Sequence, residues 1–120
     1  MTTVFVSGHL DLTDEEFRLH YAPNLREHID AGSHFVVGDA RGADTKAQRF
    51  LAFAGCEDVT VFHMLAAPRN NTGFSTVGGF ATDEERDEAM TLASDVDIAW
   101  VRPWRENSGT ARNLSRRSAR

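Results

Sequence analysis

An apolar run that ends in a glycine-rich turn most constrains how this chain can fold. The run Phe35-Val36-Val37 is followed at once by Gly-Asp-Ala-Arg-Gly-Ala-Asp at 38–44, and a helical pattern begins there. This order predicts a buried strand, a tight turn and the N-terminus of a helix. Such turns bind anions in α/β proteins, because backbone N–H groups approach the ligand and the helix dipole adds positive charge. The turn therefore predicts a site for a phosphorylated or nucleotide-like small molecule.

Strand and helix patterns alternate along the rest of the chain. Strands are predicted at 2–7, 33–37, 58–63 and 96–101, and helices at 14–31, 43–54, 83–93 and 109–117. Two capping boxes, Thr13 with Glu16 and Thr82 with Glu85, mark helix starts. Pro23 should kink or divide the first helix. Residues 64–81 lack periodicity, which predicts a long loop that is either functional or mobile.

This alternation predicts the α/β class: a Rossmann-like three-layer sandwich with a small, mainly parallel sheet of about four strands. A length of 120 residues fits one domain with one core. Ligands of such folds bind at the carboxyl edge of the sheet, near the point where the strand order reverses. The loops expected at that edge are 7–9, 38–44, the long loop and 107–110.

Composition argues against several classes of protein. The apolar runs are far shorter than the ~20 residues that span a bilayer, and no signal-peptide pattern is present, so we expect a cytoplasmic protein without a membrane partner. Cys56 is the only cysteine, and no histidine pair has metal-ligand spacing, so we expect no metal and no cofactor. The net charge of −5 argues against nucleic-acid binding, and the arginines near the C-terminus are interpreted as a solvated helix end. Small sheets often self-associate to cover an edge, so we expect a homo-oligomer.

Four segments, taken in order, resemble one family. They are Val-Ser-Gly-His at 6–9, the turn at 38–44, Arg86 with Met90, and Ser-Gly-Thr-Ala at 108–111. Together they resemble the SLOG superfamily, which is Rossmann-like and includes the lonely-guy cytokinin-activating enzymes and DprA. The small stand-alone YspA-like branch is the most similar, over roughly residues 4–114. The resemblance implies that residues 1–120 form a single SLOG-like domain, which binds nucleotides or nucleotide-derived ligands in the cleft above the strand ends.

The candidate ligand-binding residues combine a predicted position at this edge with the resemblance. They are Ser7, Gly8, His9, Gly38, Asp39, Ala40, Arg41, Gly42, Asp44, Arg86, Ser108, Gly109 and Thr110. Some have alternative interpretations. Asp44 is suited either to capping the next helix or to forming a hydrogen bond with a ribose hydroxyl. Arg41 is suited either to binding phosphate or to facing solvent or pairing with Asp39.

The departures from the family pattern bear on turnover. His9 stands where the branch usually has arginine, and Asp39 adds negative charge beside the expected phosphate site. Asn113 stands where related N-glycosidases carry a glutamate, whose carboxylate attacks or stabilises the anomeric carbon. An amide is a poor substitute, so a sensor or binding module is favoured.

The alternative is an N-glycosidase or phosphoribohydrolase-type enzyme that acts on nucleotides, and a purely structural role is a third class with little support. No catalytic residue is assigned. In an enzyme, a different carboxylate has to replace the missing glutamate. The candidates are Asp39, Asp44, Glu85 and Glu88.

Overall fold

The computed structural model describes residues 1–118 and has five parallel strands in the order β4-β3-β2-β1-β5. The strands are β1 (Thr3–Val6), β2 (His34–Gly38), β3 (Val59–Met64), β4 (Ser75–Phe80) and β5 (Val96–Ile98). The helices are α1 (Asp14–His20), α2 (Ala22–Asp30), α3 (Ala43–Phe53), α4 (Asp83–Leu92) and α5 (Gly109–Ser118). The predicted Rossmann-like α/β class with a parallel sheet is confirmed.

The central strands β1, β2 and β3 are buried on both faces, as is usual in a parallel sheet. Alternate residues of the central strands point to opposite faces. One face packs against α1, α2 and α3, and its strand residues are Val4, Val6, Phe35, Val37, Val59, Val61 and Ile98. The other face is smaller, and there Phe5, Val36 and Phe62 pack with Met90 of α4.

Local sequence signals explain the helix boundaries. Thr13 and Glu16 form the predicted capping box of α1, and the chain divides into two helices before Pro23, as predicted. At α4, Thr82 accepts the hydrogen bond from the Glu85 N–H group, while the Glu85 carboxylate turns to the Ala81 N–H group. Within residues 1–118, no helix is long and apolar enough to cross a membrane.

The structure adds a fifth strand inside the segment predicted to be a loop. β4 pairs with β3 at the edge of the sheet, with Thr60 opposite Ser75 and Phe62 opposite Val77. Its residues 75–79 are exposed on both faces, so no alternation of polar and apolar residues marks the strand. Gly78 lies against the His63 ring, where a Cβ atom has no room. The glycine that made this segment resemble a turn is therefore required by close packing.

Candidate functional site

A cleft of about 290 Å³ opens at the carboxyl edge of the sheet, with α4 and α5 as its walls. Below it, β1 lies between β2 and β5, so the strand order reverses at this point. Open α/β sheets bind ligands at such a switch point. The volume lies near the lower end of the range of about 300–1,000 Å³ that is usual for small-molecule pockets.

The structure brings most of the predicted site residues together in this cleft. Those that line it are Ser7, Gly8, His9, Ala40, Asp44, Arg86, Ser108, Gly109 and Thr110. The four predicted residues that do not line it belong to the glycine-rich turn: Gly38, Asp39, Arg41 and Gly42. Most of the turn therefore lies beneath the cleft, and only Ala40 and Asp44 reach its surface.

The two glycines of this turn allow close packing between elements. A Cβ atom on Gly38 would lie 2.5 Å from Oδ2 of Asp44 and 3.1 Å from Cζ of Arg86. Gly42 has a φ of +76°, and its Cβ would lie 2.5 Å from the His9 carbonyl oxygen. The next residue, Ala43, donates its N–H group to the same oxygen at 3.2 Å. The loop after β1 is thus fixed on the N-terminus of α3.

Asp39 is fully buried and holds two arginines. It accepts hydrogen bonds from the Arg69 backbone at 2.8 Å, from Arg69 Nε and Nη2 at 3.1 and 2.9 Å, and from Arg86 Nη1 at 2.9 Å. Burial raises the pKa of Asp39, but the hydrogen bonds from Arg69 and Arg86 outweigh it and lower the pKa to about 2. Arg41 is exposed and pairs with neither Asp39 nor any other described acid. The charge expected to disfavour a phosphate is thus neutralised within the protein.

The α4 wall carries more acidic than basic side chains, since Arg69 and Arg86 stand beside Asp83, Glu84 and Asp87. Arg86, which is 5% exposed, also pairs with Asp83 at 3.1 Å and with Asp87 at 2.9 Å. Arg69 reaches Asp83 at 2.8 Å. Sequence reasoning missed Arg69, because it lies in the segment without periodicity. Gln48 fixes that segment by accepting the Thr72 N–H group at 2.9 Å.

His9 is a neutral imidazole. Its Nε2 atom accepts the backbone N–H of Arg102 at 3.0 Å, so the ring proton lies on Nδ1. Burial, followed by the charges of Arg105 and Arg102, lowers the pKa of His9. At neutral pH His9 therefore contributes a ring N–H group and no positive charge.

Asp44 is the buried carboxyl group of the cleft, and its side chain is not the cap of α3. The N-cap of α3 is Gly42, while Oδ2 of Asp44 accepts the Ala40 N–H group at 3.1 Å. Its Oδ1 atom has no hydrogen-bond partner within residues 1–118. Burial raises the pKa of Asp44 to about 7, although the nearby Arg86 charge lowers it. Near neutral pH this carboxyl group can therefore give or take a proton.

The N-terminus of α5 forms the opposite wall and offers unpaired donors. Ser108 caps the helix by accepting the Ala111 N–H group at 3.1 Å. The N–H groups of Gly109 and Thr110 have no acceptor among the described residues. The hydroxyl of Ser7 at the end of β1 is buried in the same cleft and is also without a partner there.

Three arginines on this side were interpreted from the sequence as part of a solvated helix end, although they line the cleft. They are Arg105, Arg112 and Arg116. Arg105 is 41% exposed and lies 3.8 Å from Asp11, whose carboxylate already pairs with Arg102 at 2.7 Å. No acidic residue from α5 or the loop before it lines the cleft, so this wall is net positive.

The acidic residues considered for catalysis differ sharply in position. Asp39 is enclosed by its arginines, and neither Glu85 nor Glu88 lines the cleft, which leaves Asp44. Asn113 lines the cleft, is 3% exposed, and accepts a hydrogen bond from Arg116. Within residues 1–118, no three His, Cys, Asp or Glu side chains are grouped as a metal site.

Comparison with known proteins adds no relative to this description. The chain matches no family model, and searches of curated proteins and of solved structures find no match. The function must therefore be argued from the cleft, and membership of the SLOG superfamily stays a prediction.

Proposed function

We propose that the cleft binds a nucleotide or a nucleotide-derived small molecule, and that the protein acts as a sensor or binding module. The observation that carries this proposal is the pairing of two kinds of unsatisfied group in one cleft. The free N–H groups of Gly109 and Thr110 lie at a helix N-terminus, and the buried Ser7 hydroxyl lacks a partner among the described residues. Buried polar groups in proteins are nearly always hydrogen-bonded, so a ligand is the expected partner.

The α5 wall is the place for a phosphate group. Free N–H groups and the helix dipole favour an anion at a helix N-terminus. Arg105 and Arg112 line the same wall, and within residues 1–118 the Arg112 Nη1 atom donates only to the Asn107 carbonyl at 2.8 Å. Arg69 and Arg86, by contrast, are neutralised by carboxylates. The phosphate is therefore assigned to α5 and not to the glycine-rich turn.

Proline at position 109 tests this assignment. Gly109 is the first residue of α5, where proline is favoured, and its Cβ would meet only Arg112 Nη2, at 3.7 Å. Gly109→Pro thus removes one N–H group that would donate to a bound anion, while the helix remains stable. The matched control is Asp14→Pro, which places proline at the first position of α1, away from the cleft.

Thermal shift with AMP, NAD and ADP-ribose supplies the measurement. At least one of them should stabilise the wild-type protein, since a ligand at 100 times its Kd contributes about 2.7 kcal/mol. Gly109→Pro should weaken that ligand about tenfold, as expected for loss of a charge-assisted hydrogen bond, whereas Asp14→Pro should not. No stabilisation of the wild type at millimolar concentrations would refute the proposal.

Asp44 favours a second candidate function, hydrolysis of a nucleotide N-glycosidic bond. A buried carboxyl group with a pKa near 7 suits a general acid that protonates the departing base. This activity predicts release of free base from a nucleoside monophosphate, measured by chromatography. Base release that persists at the wild-type rate in Asp44→Asn would exclude this role for Asp44.

We also propose that the protein is a cytoplasmic homo-oligomer that uses the β4 edge. Residues 75–79 are exposed along this edge, and Val77 and Leu65 beside it are 42% and 70% exposed. Exposed edge strands readily pair with other chains. Light scattering coupled to size-exclusion chromatography would detect the oligomer, and Val77→Lys should dissociate it; a monomeric wild-type protein would contradict this proposal.

A further inference from the structure

We infer that the floor of the cleft, formed by Ser7 and Asp44, is a hydroxyl-binding subsite that selects phosphorylated sugars over phosphates of apolar groups. This inference rests on the proposed function, because it assumes that a phosphate occupies the α5 wall. It goes further by naming the chemistry that the ligand must carry at its other end. Two groups support it: the buried Ser7 hydroxyl, which has no partner within residues 1–118, and the Asp44 carboxyl group, which lines the same cleft.

Ser7 is held rigidly with its hydroxyl free. Its N–H group donates to the Ile98 carbonyl at 3.1 Å, and its carbonyl accepts the Tyr21 hydroxyl at 2.7 Å. Gly8 is wedged beside Tyr21 and Ala43, which fixes the chain direction after β1. Only the Ser7 side chain lacks a partner within residues 1–118, although the residue is 6% exposed. Leaving such a hydroxyl unpaired costs free energy, and a ligand hydroxyl would recover it.

Asp44 presents a second unpaired atom to the same cavity. Oδ2 accepts the Ala40 N–H group, whereas Oδ1 has no hydrogen-bond partner within residues 1–118. The Asp44 side chain also makes no ion pair of 4 Å or less with a described residue. The charged groups facing it are Arg86, which favours its ionised form, and Asp39 and Asp87, which oppose it. An ionised Asp44 would repel a phosphate, so the anionic end of a ligand belongs at α5.

The chemistry of the floor matches a hydroxyl-bearing carbon skeleton. A serine hydroxyl donates and accepts, and a carboxyl group that gains or loses its proton near neutral pH does the same. Phe5 and Met90 also line the cleft and supply apolar contact for the carbon atoms of a sugar ring. A purely alkyl group would satisfy Phe5 and Met90 but would leave Ser7 and Asp44 unpaired.

Isothermal titration calorimetry with three probes tests the subsite: ribose 5-phosphate, butyl phosphate and inorganic phosphate. Butyl phosphate keeps a phosphate and a carbon chain but has no hydroxyl. Ribose 5-phosphate should bind at least about tenfold more tightly than butyl phosphate, as expected for two additional hydrogen bonds. Ser7→Ala removes no hydrogen bond within the described protein, so the variant should fold normally.

The variants separate the two ends of the ligand. Ser7→Ala and Asp44→Asn should each lower the affinity for ribose 5-phosphate relative to that for butyl phosphate by about five- to tenfold, whereas Gly109→Pro should weaken all three probes. Equal binding of ribose 5-phosphate and butyl phosphate, or an unchanged affinity for ribose 5-phosphate in Ser7→Ala, would overturn the hydroxyl subsite alone. If none of the three phosphates binds, the subsite is overturned, and the proposed function fails as well only if AMP, NAD and ADP-ribose also leave the wild-type protein unstabilised.

Discussion

Replacing Asp44 by asparagine should stabilise the protein above neutral pH and leave its stability at acid pH almost unchanged. Burial raises the pKa of Asp44 from 3.8 to about 7. The folded protein therefore binds this proton more tightly than the unfolded chain does, and stability falls as the pH rises from about 4 to about 7. Asparagine keeps an acceptor for the Ala40 N–H group and never becomes charged.

The expected gain follows from the size of the shift. Three pKa units at about 1.36 kcal/mol each give about 4 kcal/mol above pH 7. In an experiment from pH 5 to pH 8.5, only the interval between pH 5 and the folded-state pKa of about 7 contributes. This interval of about two pH units corresponds to about 3 kcal/mol. For a chain of this size that difference amounts to roughly 10 °C in Tm. The pKa of about 7 already includes the attraction between Arg86 and the carboxylate, so nothing further is subtracted for it.

Urea unfolding of both proteins at pH 5, 6, 7 and 8.5 measures the effect. The quantity to follow is the difference in unfolding free energy between variant and wild type at each pH. Burial also lowers the pKa of His9, which makes stability rise with pH, but this contribution is common to both proteins and cancels.

Asp95→Asn is the matched control for this experiment. Asp95 is an exposed carboxylate that likewise accepts a backbone N–H group, that of Thr3 at 2.8 Å. Its substitution should produce no gain that grows between pH 5 and pH 8.5. If the free-energy difference for Asp44→Asn is the same at every pH, Asp44 titrates as an ordinary carboxyl group and the reasoning about its burial is refuted.

Two further predictions concern the turn beneath the cleft. Gly42 and Gly55 share a φ of +76°, but a Cβ meets the His9 backbone at Gly42 and open space at Gly55. Gly55→Ala should therefore lower the unfolding free energy by about 1 kcal/mol. Gly42→Ala should lower it several-fold more, as measured by urea unfolding. Equal losses in the two variants would contradict the packing argument. Asp39→Ala should cost about 3–5 kcal/mol, because it leaves the Arg86 charge buried with fewer partners, and adding Arg86→Met should restore much of that loss. A loss below about 1 kcal/mol would show that this ion pair does not hold the turn.

The edge of the sheet at which the cleft lies could be predicted from the sequence. Parallel strands place all their following loops at one edge, so 7–9 and 108–110 had to meet there once the alternation of strands and helices was recognised. The role of the turn at 38–44 could not be predicted. Glycine is required equally where a ligand approaches the backbone and where another element of the protein does, and Gly38 and Gly42 belong to the second case.

Charged residues were harder to place than glycines. Arg69 follows no periodic pattern, and its partner Asp39 is 30 positions away in the sequence, so nothing local indicates the pair. The arginines of α5 were predicted to be solvated, because a helix end explains clustered cations as well as a binding wall does. Only the three-dimensional position of α5 distinguishes the two interpretations.

The difference in charge between the two walls has a consequence for how any ligand enters. Arg69 and Arg86 are compensated by Asp39, Asp83 and Asp87, whereas on the α5 side Arg112 pairs with no carboxylate within residues 1–118 and Arg116 reaches Glu84 of α4 only at 3.7 Å. The electrostatic potential therefore differs between the two walls of the cleft and is more positive on the α5 side. A molecule with one anionic end is aligned by this field before it makes any contact, and the reversed orientation is rejected without a steric barrier.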